Sequence, residues 1–283
     1  MKELLHILDR VPEFGSLLTA LDSGACPAAV SGLAAVHRAH FAAGLRAKAG
    51  RPVVVMCPAE GEAQRLAEDL HAFTGEAVLT LPSREFTFHD AAVVSRQWEH
   101  RRLAALRTLA QDEPPLVVTT PEALLQRTLP KHLLLQTVHT LRVGEVHDLN
   151  ELAETLTAAG YVRCDQVEGV GQFALRGGIL DLFSPACAEP IRCEFFGDEI
   201  DAMGTFDPAT QRRVENRQVC DILPVAEVLP HLAPGGYAGL TEAMDGLISQ
   251  VKGSKGDHSS LLTTLSQDRE RLSQGRSFPA MDR

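Results

Sequence analysis

The first 125 residues alternate continuous apolar runs with helical patterns. Apolar runs at residues 28–30, 53–56, 78–81 and 116–119 predict strands that are buried on both faces. Apolar positions at helical spacing predict helices at residues 34–49, 61–73 and 98–110, each followed by a Gly or Pro signal. A short helix is predicted after Thr120, because Thr is a favoured N-cap and Pro121 suits the first helical position. This alternation indicates a parallel α/β sheet.

Residues 161–213 carry a different pattern, with four or five short strand signals separated by Gly and Pro. Apolar residues alternate with polar ones from Phe173 and again from Ile191. This alternation predicts a small antiparallel sheet with one buried and one solvated face. The Gly197-Asp198 pair favours a hairpin turn over an acidic metal site, because Gly-Asp is a strong turn signal.

Three segments are predicted along the chain. Residues 1–126 form the α/β domain, residues 127–213 carry the small sheet, and residues 214–283 contain helical patterns at 241–251 and 259–273. The chain stops after residue 283 without a helix cap or a closing strand. We therefore expect a fragment boundary there.

Composition limits the function classes. The net charge of −10 argues against a general binder of the nucleic-acid backbone, which needs a basic surface. Six cysteines without a CxxC pair indicate buried thiols in a reducing compartment, not disulfides or a zinc site. The chain has no run of about 18 apolar residues and no signal peptide, so we expect a soluble cytoplasmic protein without a membrane partner.

A parallel α/β domain suggests a nucleotide site at the turn after its first strand. The sequence contains no GK[ST] motif, so lysine and hydroxyl groups for phosphate and magnesium are missing at this turn. The turn therefore predicts that no ATPase is built on this loop. Its residues are Ser31, Gly32, Leu33, Ala34, Ala35, Val36 and His37. His37 and His40 lack a third ligand, so no metal site is predicted.

Two groups of arginines are candidate contact residues. Arg96, Arg101 and Arg102 lie on or just before one predicted helix; they indicate a solvated face or, alternatively, a contact with nucleic acid or another domain. On the small sheet, alternation with apolar neighbours predicts that Arg163, Arg176 and Arg192 point outward. Exposed arginines are often merely solvated, but interfaces favour them because their planar group binds carboxylates in a bidentate manner.

Residues 173–183, 192–200 and 206–212 resemble, in order and spacing, the second domain of the UvrB-like module. The excision-repair protein UvrB and the transcription-repair coupling factors share this module. UvrB carries a working phosphate loop, whereas the module of the coupling factors resembles UvrB with that loop degenerated. The present chain is similar to the coupling factors in this respect.

The resemblance implies a RecA/helicase-like domain without a functional phosphate loop and an inserted small α+β antiparallel-sheet domain. It also implies that this domain binds the damage-recognition protein UvrA through Arg163 and Arg176, supported by Phe173, Phe183 and Arg192. The UvrB pattern has a further arginine where this chain has Ala174, which implies a thinner contact. The resemblance further implies that, in the whole family protein, the C-terminal domain covers this surface until RNA polymerase is engaged.

The resemblance assigns RNA polymerase, double-stranded DNA, ATP and magnesium to domains absent from this chain, which itself needs no cofactor. The leading hypothesis is a non-catalytic recruitment module. One alternative is a UvrB-type DNA-dependent ATPase or helicase subunit of the excinuclease with a nonstandard phosphate loop. Another is a direct DNA-binding domain that uses the arginines between residues 96 and 107.

Overall fold

The computed structural model describes residues 2–83, 96–111, 116–276, 278 and 281. The chain forms two compact units, Met1–Thr128 (unit 1) and Leu129–Arg283 (unit 2). The last residues of the third predicted segment, 277, 279–280 and 282–283, lie outside the described residues.

Unit 1 is a layered α/β structure. After a 3-10 helix at Lys2–Arg10 come α1 (Pro12–Asp22), α2 (Ala35–Ala49), β1 (Val54–Met56), α3 (Glu60–Thr74), β2 (Val78–Leu81), α4 (Gln97–Leu109), β3 (Leu116–Thr119) and α5 (Pro121–Leu125). The strands form a parallel sheet in the order β1-β3-β2. The central strand β3 is buried along its whole length, as its continuous apolar run predicts.

The predicted strand at residues 28–30 is wrong. Residues 25–34 are neither helical nor extended in a sheet, and Val30 is exposed. The run is short, contains two alanines and follows a proline, and these residue types are depleted in strands. Among the described residues, the parallel sheet of unit 1 therefore begins at β1.

Helix ends in unit 1 follow the local chemistry. The Thr120 side chain accepts a hydrogen bond from the Ala123 backbone N–H at 3.3 Å, which confirms the predicted N-cap of α5. Helices α2 and α3 end at Gly50 and Gly75, both in the left-handed conformation that glycine adopts without strain.

Unit 2 combines helices with an extended sheet. It contains α6 (Lys131–Thr137), β4 (His139–Arg142), α7 (Leu149–Ala158), β5 (Val162–Arg163), β6 (Gln172–Arg176), β7 (Ile179–Leu182), β8 (Ile191–Phe196), β9 (Glu199–Phe206), β10 (Arg213–Asn216), β11 (Val219–Ile222), α8 (Gly236–Gly253) and α9 (Ser259–Ser273). A 3-10 turn at Pro230–Leu232 precedes α8. Strands β5 to β10 form one six-stranded sheet in chain order, and β4 pairs with β11.

The six-stranded sheet is antiparallel except for the β5–β6 pair, which is parallel. Gly197, in the left-handed conformation, closes the β8–β9 hairpin, which confirms the predicted turn. Gly178 lies so close to β8 that an added Cβ would stand 2.9 Å from the Phe195 carbonyl oxygen. The parallel and antiparallel sheets together confirm a mixed α/β fold.

The main core of unit 2 lies between one face of this sheet and α7. Phe173, Leu180 and Ile191 contribute from the strands, and Leu156 contributes from α7. The Tyr161 hydroxyl donates to the Leu223 carbonyl at 2.8 Å, and burial raises the pKa of this phenol. No helix in the described parts of either unit is long and apolar enough to cross a membrane.

The opposite face of the sheet is only partly solvated. A second apolar cluster, formed by Val167, Ala174 and Phe206, is fully buried there. The prediction of one buried and one solvated face is therefore wrong in part. Residues outside the regular strands, such as Val167, pack over this face, and strand alternation cannot reveal them.

Candidate partner-binding site

The centre of the second sheet face is a buried carboxylate. Asp181 lies on β7 between Leu180 and Leu182, whose side chains enter the main core, so Asp181 points to the other face. The register places Asp181 between Ala174 on β6 and Arg192 on β8. Its side chain is completely buried. A carboxylate in this position must be paired, because an isolated buried charge is very costly.

Two arginines share this carboxylate. Arg192 donates from Nε to Asp181 Oδ1 at 2.7 Å and from Nη2 to Oδ2 at 2.9 Å. Arg176 donates from Nη2 to Asp181 Oδ2 at 2.7 Å. The three residues form one ion cluster, hereafter the Asp181 cluster, and such bidentate, charge-assisted pairs are strong.

Arg192 is held on several sides. Its Nη1 and Nη2 groups donate to the backbone oxygen and side-chain Oε1 of Gln211 at 3.2 and 3.3 Å. Its guanidinium also lies 4.7 Å above the Phe206 ring centroid. The hydrogen bond to Asp181 raises the pKa of Arg192. With 17% of its side chain exposed, Arg192 does not point outward as predicted, because it satisfies the buried carboxylate.

Arg176 and Arg163 remain accessible. The Arg176 side chain is 50% exposed although one of its nitrogens is bonded to Asp181. Arg163 is exposed on β5, the edge strand, where the register pairs it with Phe173. Since Phe173 and Arg176 have opposite parity on β6, Arg163 and Arg176 lie on opposite faces of the sheet. The sheet does not present the predicted arginines on one common face.

The two phenylalanines occupy different environments. Phe173, predicted as neighbouring support for the arginine contact, is completely buried in the main core and exposes no surface to a partner. Phe183 follows β7 directly and is half-buried against the second cluster. Ala174 is also fully buried and lies opposite Asp181 in the register. The site residues therefore divide into a buried framework and a few accessible side chains.

The residues predicted as the phosphate loop lie in unit 1, where an irregular, largely exposed segment leads into α2. Its members, Ser31, Gly32, Leu33, Ala34, Ala35, Val36 and His37, include the first three residues of that helix. Ala34 is the N-cap and makes no side-chain capping bond. Nearby, His40 Nε2 donates to the Leu4 carbonyl at 2.8 Å. Among the described residues, no group of three or more His, Cys, Asp or Glu side chains could hold a metal ion.

The second predicted arginine group is not a uniform surface. Arg101 is exposed, and half-exposed Arg96 donates to Glu99 at 2.7 Å. Arg102 is completely buried, and its Nη1 donates to the backbone oxygens of Pro82 and Ala123 at 2.8 and 3.4 Å. Arg102 is therefore neither part of a solvated face nor available for the alternative contact with nucleic acid or another domain, because its guanidinium satisfies carbonyl groups inside unit 1.

Sequence reasoning missed Asp181 and Gln211. The signal for Asp181 was a carboxylate between two core leucines, but its arginine partner on β8 becomes visible only through the strand register. Gln211 adopts a positive φ of 59°, unusual for a residue other than glycine, and this places its backbone oxygen against Arg192.

Unit 2 contains a match to a known domain family, and the chain as a whole is similar to several known proteins. A family model described as the UvrB interaction domain matches residues 139–227, from β4 to just beyond β11. The chain is 30% identical over 280 residues to the transcription-repair-coupling factor of Bacillus subtilis. The aligned region covers 97% of this chain and 24% of that protein. It is 31% identical over 211 residues to the transcription-repair-coupling factor of Escherichia coli, covering 75% of this chain and 17% of that protein. The transcription-repair-coupling factor of Myxococcus xanthus is 35% identical over 206 residues, which are 70% of this chain and 17% of that protein. The chain spans about a quarter or less of the length of these relatives.

Proposed function

We propose that this chain, a UvrB-homology module of the transcription-repair-coupling factor family, is a non-catalytic recruitment module. Its partner would be UvrA, bound through unit 2. The observation that carries this proposal is the match of the UvrB interaction domain to residues 139–227, which include all five predicted contact residues. Such recruitment would couple stalled RNA polymerase to nucleotide excision repair.

The chemistry of the exposed arginines supports a protein partner with carboxylates. Arg176 keeps part of its guanidinium free while Asp181 fixes the rest, and Arg163 stands at the sheet edge. Because the two side chains lie on opposite faces, a partner that contacts both must reach around β5. We assign the direct contact to Arg163, Arg176 and half-buried Phe183. Arg192 and Phe173 would act as the framework beneath them.

We further propose that unit 1 is a RecA/helicase-like domain without a functional phosphate loop. The parallel sheet supports a relationship to nucleotide-binding domains, and the sequence has no GK[ST] motif. ATP, magnesium, RNA polymerase and double-stranded DNA would be bound by other parts of the coupling factors. The C-terminal part would cover the UvrA-binding surface in the resting protein.

A binding experiment with purified UvrA tests the partner and the residues. Isothermal titration calorimetry should show saturable binding of the wild-type chain and at least about a 100-fold loss for the Arg163→Ala/Arg176→Ala variant, since each charged hydrogen bond contributes about 1.5–3 kcal/mol. The matched control is Arg217→Ala, which removes an arginine 52% exposed on the same unit and should leave affinity unchanged.

Circular dichroism should show that the double variant keeps its fold, since Arg192 still pairs with Asp181. Unchanged affinity of the folded double variant would refute the residue assignment, and no binding by the wild-type chain would refute the partner. A separate titration with magnesium-ATP addresses catalysis. Saturable binding with turnover would favour the UvrB-type ATPase instead, whereas no thermal shift is expected for a recruitment module.

A further inference from the structure

Two cysteines of unit 2 face each other although they are 33 residues apart in sequence. Cys187 lies in the irregular connection between β7 and β8, and Cys220 lies on β11. Their Sγ atoms are 3.8 Å apart. Cys187 is half-buried and reachable from solvent, whereas Cys220 is almost completely buried. This is a pair of thiols with one accessible member.

The surrounding hydrogen bonds hold the two thiols in this arrangement. Ser184 Oγ donates to the Asp221 carbonyl at 2.9 Å and accepts from the Leu223 backbone N–H at 3.1 Å. The Cys187 N–H in turn donates to the Ser184 carbonyl at 3.0 Å. These bonds fasten the β7–β8 connection to the β11 segment, so the thiols stay in proximity in the folded chain.

A disulfide requires the sulfurs to approach to about 2.05 Å. Cys220 is fixed on a paired strand, whereas Cys187 lies outside any regular element, so bond formation requires a local shift of the Cys187 side of the pair. A third thiol, Cys193, belongs to the same core but is completely buried, and burial raises its pKa to about 12. Cys193 is therefore a poor competitor for either partner.

The two facing thiols differ in acidity. The contact between the two sulfurs lowers the pKa of Cys187 and raises that of Cys220, and burial raises the pKa of Cys220 further. Since the thiolate is the reactive form and Cys187 is the accessible member of the pair, we expect Cys187 to be the attacking thiol and Cys220 to be the resolving thiol.

We propose that Cys187 and Cys220 form a reversible redox-modification site that is oxidised to a disulfide by a low-molecular-weight disulfide. The Cys187 thiolate attacks one sulfur of the oxidant, forms a mixed disulfide and releases one small thiolate. Cys220 then gives its proton to that thiolate and attacks the Cys187 sulfur, which releases the second small thiolate. The two protein thiols are oxidised, and one small disulfide is reduced to two thiols. The thiol exchange requires neither UvrA nor the arginines of the proposed contact.

Oxidised glutathione is a suitable probe. The whole chain is equilibrated in mixtures of oxidised and reduced glutathione, its remaining thiols are alkylated, and it is digested with trypsin without reduction. Cleavage after lysine and arginine places Cys187 in peptide 177–192, Cys193 in peptide 193–212 and Cys220 in peptide 218–252. Mass spectrometry should find peptides 177–192 and 218–252 linked, and the link should disappear after reduction.

Variants assign the order of attack. Cys220→Ser should accumulate glutathione on Cys187, whereas Cys187→Ser should leave Cys220 unmodified because the buried thiol cannot reach the oxidant. Cys26→Ser, at an exposed cysteine of unit 1, is the matched control and should retain the link. A link between peptides 177–192 and 193–212, or a glutathione adduct on Cys187 with Cys220 free in the wild-type chain, would overturn the proposal. The wild-type digest alone decides this point if a variant does not fold.

Discussion

Replacement of Arg192 by methionine should destabilise unit 2 far more than the same replacement of Arg176. Both arginines bind Asp181, but only Arg192 does so with two hydrogen bonds while itself being largely buried. Methionine keeps an unbranched apolar stem over Phe206 and removes the charge. The substitution therefore removes the polar contacts of the guanidinium with Asp181 and Gln211 while it keeps most of the side-chain packing.

The magnitude follows from what remains at Asp181. Removing one partner of a buried ion pair costs about 3–5 kcal/mol, because the other charge stays buried. Arg176 still donates one bond to Asp181, so we place Arg192→Met near the lower end, at about 3 kcal/mol. Arg176 is half exposed and solvent screens its pair, so Arg176→Met should cost no more than about 1 kcal/mol. The difference of about 2 kcal/mol corresponds to about 30-fold in an opening equilibrium.

Amide hydrogen exchange followed by mass spectrometry measures this difference locally. Peptides from β7, β8 and β9 should exchange about 30-fold faster in Arg192→Met than in Arg176→Met, with Arg217→Met as the exposed control. Adding Asp181→Asn to Arg192→Met should recover part of the loss, because the buried charge that Arg176 alone neutralises incompletely disappears. Equal protection in the two single variants would refute the view that Arg192 neutralises Asp181.

Two further predictions concern a helix cap and a histidine. Asp148→Ala should weaken α7 by about 1 kcal/mol, because Asp148 Oδ1 accepts from the Asn150 and Glu151 N–H groups at 2.8 and 3.1 Å; exchange rates in α7 measure the loss, and Asp148→Ser should restore most of it. Burial lowers the pKa of His100 in the folded chain. As the pH falls, His100 is therefore protonated in the unfolded chain, near pH 6.5, before it is protonated in the folded chain, and unit 1 should lose stability below that pH. Exchange in α4, corrected for intrinsic rates at pH 7.0 and 5.5, should show a smaller loss in His100→Gln, and an unchanged loss would contradict this assignment.

Local signals predicted much of the fold. Apolar runs located β1, β2 and β3, and helical periodicity located α2, α3 and α4 to within one or two residues. The N-cap at Thr120 and the turn at Gly197 depend on neighbouring residues only. The failed strand at residues 28–30 shows the limit of this approach, because a three-residue apolar run becomes a strand only where a neighbouring strand pairs with it.

The accessible and buried arginines could not be distinguished in this way. Arg102 lies on a helix rich in charged residues, yet it occupies the buried face of that helix. Arg192 alternates with apolar residues as a solvated side chain would, but its buried partner lies on another strand. Cys187 and Cys220 likewise meet only through the path of the chain across the sheet. Each case requires strand order and register, which a single sequence does not contain.

The shared carboxylate of the Asp181 cluster also affects how Arg176 can meet a partner. Two guanidinium groups on one carboxylate leave a net charge of about +1, and the exposed part of that charge lies on Arg176. A free surface arginine must lose rotamer freedom when it is bound, at a cost of about 0.5–1.5 kcal/mol. Asp181 has already selected the rotamer of Arg176, so an incoming carboxylate meets a preorganised donor and loses less conformational entropy on association.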